Sequence, residues 1–220
     1  MYKKQKYSFV EGSLVIQIKL RGNQTVKQVD EFAYLGSIIS NDRRNNSEII
    51  KRICQAKIAF NSKKTLLASR NVSLKIKKNL LKTYVWSIAL YGCEIWTITT
   101  ENRRRLESFE MWCYRRMLRI NWMDRITNKE VLDRITEAKL IWKNIVRRRN
   151  EWIGHIMRHE GLLKLIIEGC IDGKNRRGRP RLEYIQQIIK DLQGCNSYVE
   201  MKRKTDNREE WKMAANQSAD

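Results

Sequence analysis

A single proline, Pro180, interrupts 220 residues of which 42% are hydrophobic. Proline removes a backbone donor and breaks helices and central strands, and β-rich folds draw on it at their turns. A chain almost without it can run in long helices, and from residue 47 onward the apolar spacing is helical. Ser47 can cap a helix whose positions Ile49, Ile53, Ala56 and Phe60 recur one turn apart. Ser73 can cap a second, with Leu80, Leu81, Tyr84, Val85 and Ile88 on one face and Gly92 interrupting it. A third is expected over residues 100–120, with Leu106, Phe109, Cys113, Met117 and Ile120 inward. Thr127 and Glu130 fit a capping box for a fourth, through Val131, Leu132 and Ile135. A fifth covers about residues 138–158, with Ile141, Ile145, Trp152 and Ile156 at helical spacing. Three glycines and Pro180 punctuate residues 169–180, the best linker, and helices follow near 181–193 and 208–215.

The first 40 residues have a different period. Leu14, Ile16, Ile18 and Leu20 alternate with Val15, Gln17 and Lys19, as in a strand with one half-buried face. Gly22-Asn23 reads as a tight turn before a second extended stretch through Val26 and Val29. A further β-prone piece over residues 32–39 ends at Asn41-Asp42. Two or three such strands are too few to stand alone in water and read as the edge of a larger sheet. The expected fold is mainly α (α+β), with a short N-terminal β element followed by helical domains.

Charge decides the partner class. Lys and Arg number 45 against 24 Asp and Glu, a formal charge of +21. Self-repulsion of that size opposes compaction, so it implies a polyanion that neutralises it: nucleic acid first, an anionic membrane surface next. The most apolar run, residues 84–96, is too short to span a bilayer and contains Ser87 and Glu94. No signal-peptide pattern follows Met1, and the expected location is intracellular and nuclear, with no membrane partner. Five scattered cysteines (Cys54, Cys93, Cys113, Cys170 and Cys195) form no CxxC pair and read as reduced thiols.

Cations recur at helical spacing on successive helices. Lys75, Lys78 and Lys82 form one stripe; Arg103, Arg104, Arg105, Arg115, Arg116 and Arg119 form the outward face of the next helix. Arg147, Arg148 and Arg149 sit in the middle of a third. With too few acids to balance them, these faces read as phosphate-tracking surfaces, whereas most tryptophans fall at core positions. Arg176-Arg177-Gly178-Arg179-Pro180-Arg181 resembles an AT-hook, thin enough for a narrow A·T-rich minor groove; a basic hinge or nuclear-import run reads equally well. His155 and His159 stand one turn apart, but no third ligand lies at a recognisable distance, so no metal site is expected. Two-metal nucleotidyl transfer needs converging carboxylates, and the sequence offers no paired aspartates; Asp30 and Asp42 read as turn residues. No catalytic residue, small-molecule substrate or resident cofactor is expected.

Several strings in order resemble one family. Phe32-Ala33-Tyr34-Leu35-Gly36-Ser37 is similar to the primer-grip motif of non-LTR retrotransposon reverse transcriptases. Ile53-Cys54-Gln55-Ala56-Lys57-Ile58-Ala59-Phe60 resembles a downstream helix of that family, and Leu81-Lys82-Thr83-Tyr84-Val85-Trp86-Ser87 with Leu90-Tyr91-Gly92-Cys93-Glu94-Ile95-Trp96 resembles its signature string. The likeness continues through residues 109–118, Trp152-Ile153-Gly154-His155, Gly178-Arg179-Pro180-Arg181 and the Asp206, Arg208, Trp211 spacing. It implies a palm remnant with a primer-grip-like hairpin (Phe32, Tyr34, Leu35, Gly36) over residues 1–45, a thumb over 46–125, a helical extension over 126–170 and a basic linker with terminal helices over 171–220. The implied partners are an RNA template and a DNA primer or target DNA. Mg²⁺ and the catalytic aspartates would belong to a palm lying upstream of this truncated sequence, which alone is expected to be inactive. An AT-rich DNA-binding or chromatin-associated protein derived from such an element is the alternative.

Overall fold

A computed structural model of the chain describes residues 7–10, 13–16, 29–41, 44–168, 184–192 and 194–217. The chain is mainly helical and divides into two compact units, Met1–Glu48 and Ile49–Asp220.

Among its described residues the first unit carries two antiparallel hairpins. One pairs β1 (Tyr7–Val10) with β2 (Ser13–Ile16), in a register that sets Tyr7 against Ile16. The strand expected from Leu14 therefore has a partner ahead of it, which the alternation did not mark. The Gly22-Asn23 turn and the stretch through Val26 lie outside the described residues. The other hairpin pairs β3 (Glu31–Tyr34) with β4 (Ser37–Ser40), so the β-prone piece over residues 32–39 folds back at Leu35-Gly36, where the resemblance implied a hairpin. The fold-back is local chemistry. Leu35 and Gly36 take φ of 48° and 85°, and two successive positive φ values twist a two-residue turn to match its strands. Gly36 adopts that region freely, while Leu35 does so at a cost of roughly 1 kcal/mol. Glu48 is buried in the first turn of α1 (Asn46–Ser62), and its Oε2 accepts the Ile38 N–H at 2.7 Å.

The second unit is built around two apolar clusters. Ile49, Ile53, Ala56 and Phe60 of α1 are buried in the first. A short α2 (Lys64–Leu67) leads to α3 (Leu74–Leu81), where Ser73 Oγ caps the Ile76 N–H as expected. Leu81, Val85, Ala89 and Cys93 are then all buried at four-residue intervals. Four residues overshoot an α-helical turn by about 40°, so a stripe at that spacing winds away from the core. A π-turn over Lys82–Trp86, between α3 and α4 (Ser87–Ala89), takes up the extra residue and keeps the stripe inward. The same shift corrects one expectation: Tyr84 turns to solvent and Trp86 takes the core position.

Gly92 ends this run at φ 70°, and Thr99 caps α5 (Thr100–Met117), which buries Leu106, Phe109, Cys113 and Met117. Val131 and Ile135 of α6 (Asn128–Ile135) join the same cluster, and Thr127 with Glu130 forms the expected capping box. Helix α7 (Ile141–Arg158) serves both clusters: Ile141 and Ile145 close the first, Ile153 and Met157 open the second. It begins at Ile141 rather than near 138 because a buried carboxylate fixes its end. Glu110 Oε1 accepts the Leu140 and Ile141 N–H groups at 2.7 and 3.3 Å and the Tyr114 hydroxyl at 3.0 Å. Helix N-termini leave such donors orphaned, and an acid there complements the helix dipole. The second cluster is completed by α9 (Tyr184–Asp191), α10 (Tyr198–Asp206) and α11 (Arg208–Gln217). Apolar spacing does not mark α2, α8 (Leu162–Ile167) or α10.

Within this cluster two motifs remote in sequence meet. The Trp211 indole N–H donates to the Asn150 carbonyl at 2.9 Å, which lays the ring across Gly154. A Cβ at Gly154 would stand 2.1 Å from Trp211 Nε1. Gly154 is needed here as an absence of side chain, not for its backbone freedom.

Candidate nucleic-acid interface

Lys75 and Lys82 are exposed on the α3 face, and Lys78 is half-buried between them. One acid serves two of the three: Glu137 pairs with Lys78 at 3.3 Å and Lys82 at 3.2 Å. Lys78 also donates to the Ile135 carbonyl at 3.2 Å, at the end of α6, where cations suit the helix dipole. Lys75 makes no ion pair with a described residue. Two cations on one carboxylate leave the stripe net positive.

The six arginines expected on the outer face of α5 divide. Arg104 is exposed and pairs with no acid among the described residues. Arg116 is exposed over the Trp112 ring at 4.3 Å. Arg103 bonds Glu107 at 2.9 Å and lies 4.5 Å over Trp142; Arg105 bonds Glu101 one turn back. Burial pushes the Glu107 carboxyl up, but bonds from Lys139 and Arg103 outweigh it and leave the group below its usual range. Arg115 is a tether: its Nη2 donates to the Ile126 carbonyl at 2.7 Å and Asn128 Oδ1 at 2.9 Å. Arg119 does not lie on the helix face at all. It is the left-handed residue after α5, at φ 58°, with Ile120 N–H bonded back to the Arg115 carbonyl, and its Nε donates to Ala68 O.

The α7 run divides further. Arg147 is exposed and pairs with Glu151 at 2.8 Å. Arg148 pairs with Glu94. Arg149 is only 1% exposed, with Nη1 donating to Asp191 Oδ2 and Nη2 to Gln187 Oε1, both at 3.4 Å, and its guanidinium 5.4 Å over Tyr184. It is removed from the phosphate-tracking set, because a buried, bonded guanidinium cannot reach a backbone phosphate. These arginines instead help clamp the signature string. The Gln187 amide exchanges two 2.9 Å bonds with the Ile98 backbone, and the Tyr184 hydroxyl donates to Glu94 O at 2.6 Å.

In the other unit, Tyr34, Leu35 and Gly36 form the exposed tip of the β3–β4 hairpin, and Phe32 is exposed within β3, paired with Ile39. Arg176, Arg177, Gly178, Arg179, Pro180 and Arg181 lie outside the described residues. The His155 and His159 rings are 4.5 Å apart, and no group of three or more His, Cys, Asp or Glu gathers among the described residues. No described helix is long and apolar enough to cross a membrane. Cys93 and Cys113 are buried thiols; burial pushes Cys93 up to about 12 and Cys113 higher still.

One residue was missed. Trp86, Trp96 and Trp211 are core residues, but Trp122 is 88% exposed beside Met123 at 70%. The sequence held a signal for it: Trp122 falls between two capping patterns, in a gap where neither helix claims it.

No protein-family model matches the chain, and no solved structure does. It is similar, at 27% identity over 135 residues, to an uncharacterized transposon-derived protein of Caenorhabditis elegans. The match covers 60% of this chain and 48% of that protein, so the matched stretch is about half the relative's length. The likeness points to a transposable-element origin.

Proposed function

We propose that this chain holds template–primer nucleic acid, as the thumb and C-terminal extension of a non-LTR retrotransposon RNA-directed DNA polymerase would. The observation that carries the reading is a charge of +21 that the fold's own acids do not neutralise. Acids are shared rather than matched: Glu137 takes Lys78 and Lys82, and Glu107 takes Arg103 and Lys139. Lys75, Lys82, Arg104 and Arg116 remain on the surface as contacts for a phosphate backbone. Such contacts position a duplex without reading its sequence. The likeness to a transposon-derived protein supports the mobile-element context, and the exposed Tyr34-Leu35-Gly36 turn suits a primer-grip role.

Competition binding tests the reading. A primer–template hybrid and an A·T-rich duplex should bind within a few-fold of each other, with affinity falling steeply as salt rises. A strong A·T preference that collapses in Arg179→Ala would instead favour the AT-hook protein. Extension of a primer by the pure chain with Mg²⁺ or Mn²⁺ would contradict its role as a holder alone.

A further inference from the structure

The turn over residues 121–125 is tied at both ends and exposed at its tip. It is bracketed by two left-handed residues, Arg119 at φ 58° and Arg125 at φ 49°, with a 3₁₀ turn, Trp122–Asp124, between them. Asn121 and Asp124 cap each other, the Asn121 N–H bonding Asp124 Oδ2 at 2.7 Å. Arg115 ties the outgoing leg at Ile126 and Asn128, and Arg119 ties the incoming leg to Ala68. Two guanidiniums are thus committed to holding a turn whose tip, Trp122 and Met123, is largely exposed to solvent. An indole is a large apolar surface that folding normally buries, and ordering one in water is productive only when something is to cover it.

The surroundings indicate what covers it. Arg115, Arg116, Arg119, Arg125 and Lys129 fall in this stretch of sequence, and its two acids, Asp124 and Glu130, are each held in a capping box. Arg125 and Lys129 pair with no acid among the described residues. An exposed flat aromatic face in a cation-rich stretch of chain suits a flat ring attached to an anionic backbone. Within a duplex those rings are stacked on one another and out of reach.

We propose that Trp122 is a stacking platform for an unpaired nucleobase, at a strand end or single-strand junction beside the duplex. This rests on the nucleic-acid reading above and adds to it a preference for unpaired bases. Arg116, Arg125 and Lys129 supply the neighbouring phosphate contacts, and Met123 extends the apolar tip.

The test compares the full chain with Trp122→Ala and Trp122→Phe on two fluorescent DNAs, a blunt duplex and the same duplex with a single-stranded overhang. Base–aromatic stacking strength predicts that Trp122→Ala weakens overhang binding roughly tenfold while Trp122→Phe keeps most of it. Blunt-duplex affinity and the salt slope should stay unchanged, because no phosphate contact is lost. Phe also keeps the ring if Ala disturbs the turn. Equal overhang affinity in all three proteins overturns the inference and leaves the functional reading standing. So does an equal loss on both DNAs, or self-association of the chain that Trp122→Ala abolishes, since the indole would then cover another copy. Wild-type chain that binds neither DNA at low salt overturns the functional reading and the inference together.

Discussion

The Lys75, Lys78, Lys82 stripe and the Arg147-Arg148-Arg149 run are each three cations on a helix, and the fold uses them oppositely. Residues spaced by three and four fall within an arc of about 60°, so a whole stripe can face water together. Three consecutive residues sweep about 200°, and one of them must turn inward. On α7 that residue is Arg149, buried against Asp191 and Gln187. The spacing of a charge cluster therefore says more about its availability than its density does. Lysine also suits the first role, as a mobile point charge, and arginine the second, as a planar fork that bonds and stacks at once.

The sharpest way to break this contrast is to remove Arg149. Arg149→Met leaves Asp191 and Gln187 facing an apolar side chain, and losing one partner of a buried pair should cost about 3 kcal/mol. Chemical denaturation checks it. An unchanged midpoint would return Arg149 to the mobile cations.

Next in size is the contact between α7 and α11. Gly154→Ala drives a methyl into the Trp211 ring and should cost about 2 kcal/mol by overpacking. Adding Trp211→Leu should recover part of that loss, a coupling that a double-mutant cycle detects. Additive costs would mean that the ring does not rest on Gly154.

A smaller effect is expected at Glu110. Burial holds its carboxyl above the usual 4.5, although bonds from Leu140, Tyr114 and Ile141 pull the other way. The folded chain then keeps a proton that the unfolded chain releases. Its contribution is complete below the unfolded value and is lost as pH rises through the folded one. Glu110→Gln keeps the Oε1 acceptor and cannot ionise, so the decline in stability above pH 4.5 should flatten. A decline of the same slope in both proteins would place its origin elsewhere.

Much of the helical unit was legible in local signals. Ser73, Thr127 and Glu130 cap as their residue types require, and the inward sets of α1 and α5 follow apolar spacing. Tyr84 was misplaced because no local signal announces a π-turn, whose cause is a tertiary need to keep a four-residue stripe buried. The start of α7 was misplaced because its cap, Glu110, comes from another helix. Arg115, Arg119 and Arg149 were read as surface cations because the carbonyls and carboxylates they bond are remote in sequence. Trp122 lies outside every expected helix, so no apolar spacing assigns it a face, and its exposure shows only in the fold.

The central claim is that the free cations hold a phosphate backbone. Its most direct test is the salt dependence of primer–template binding by the wild-type chain and by a Lys75→Ala, Lys82→Ala variant. Each lost phosphate contact should lower the slope of log K against log salt by about 0.9 on a B-form duplex and somewhat less on single strands. The account predicts a steep wild-type slope that falls by roughly 2 in the variant, with the unfolding midpoint nearly unchanged. A slope near zero in the wild type, or an identical slope in the variant, would contradict it.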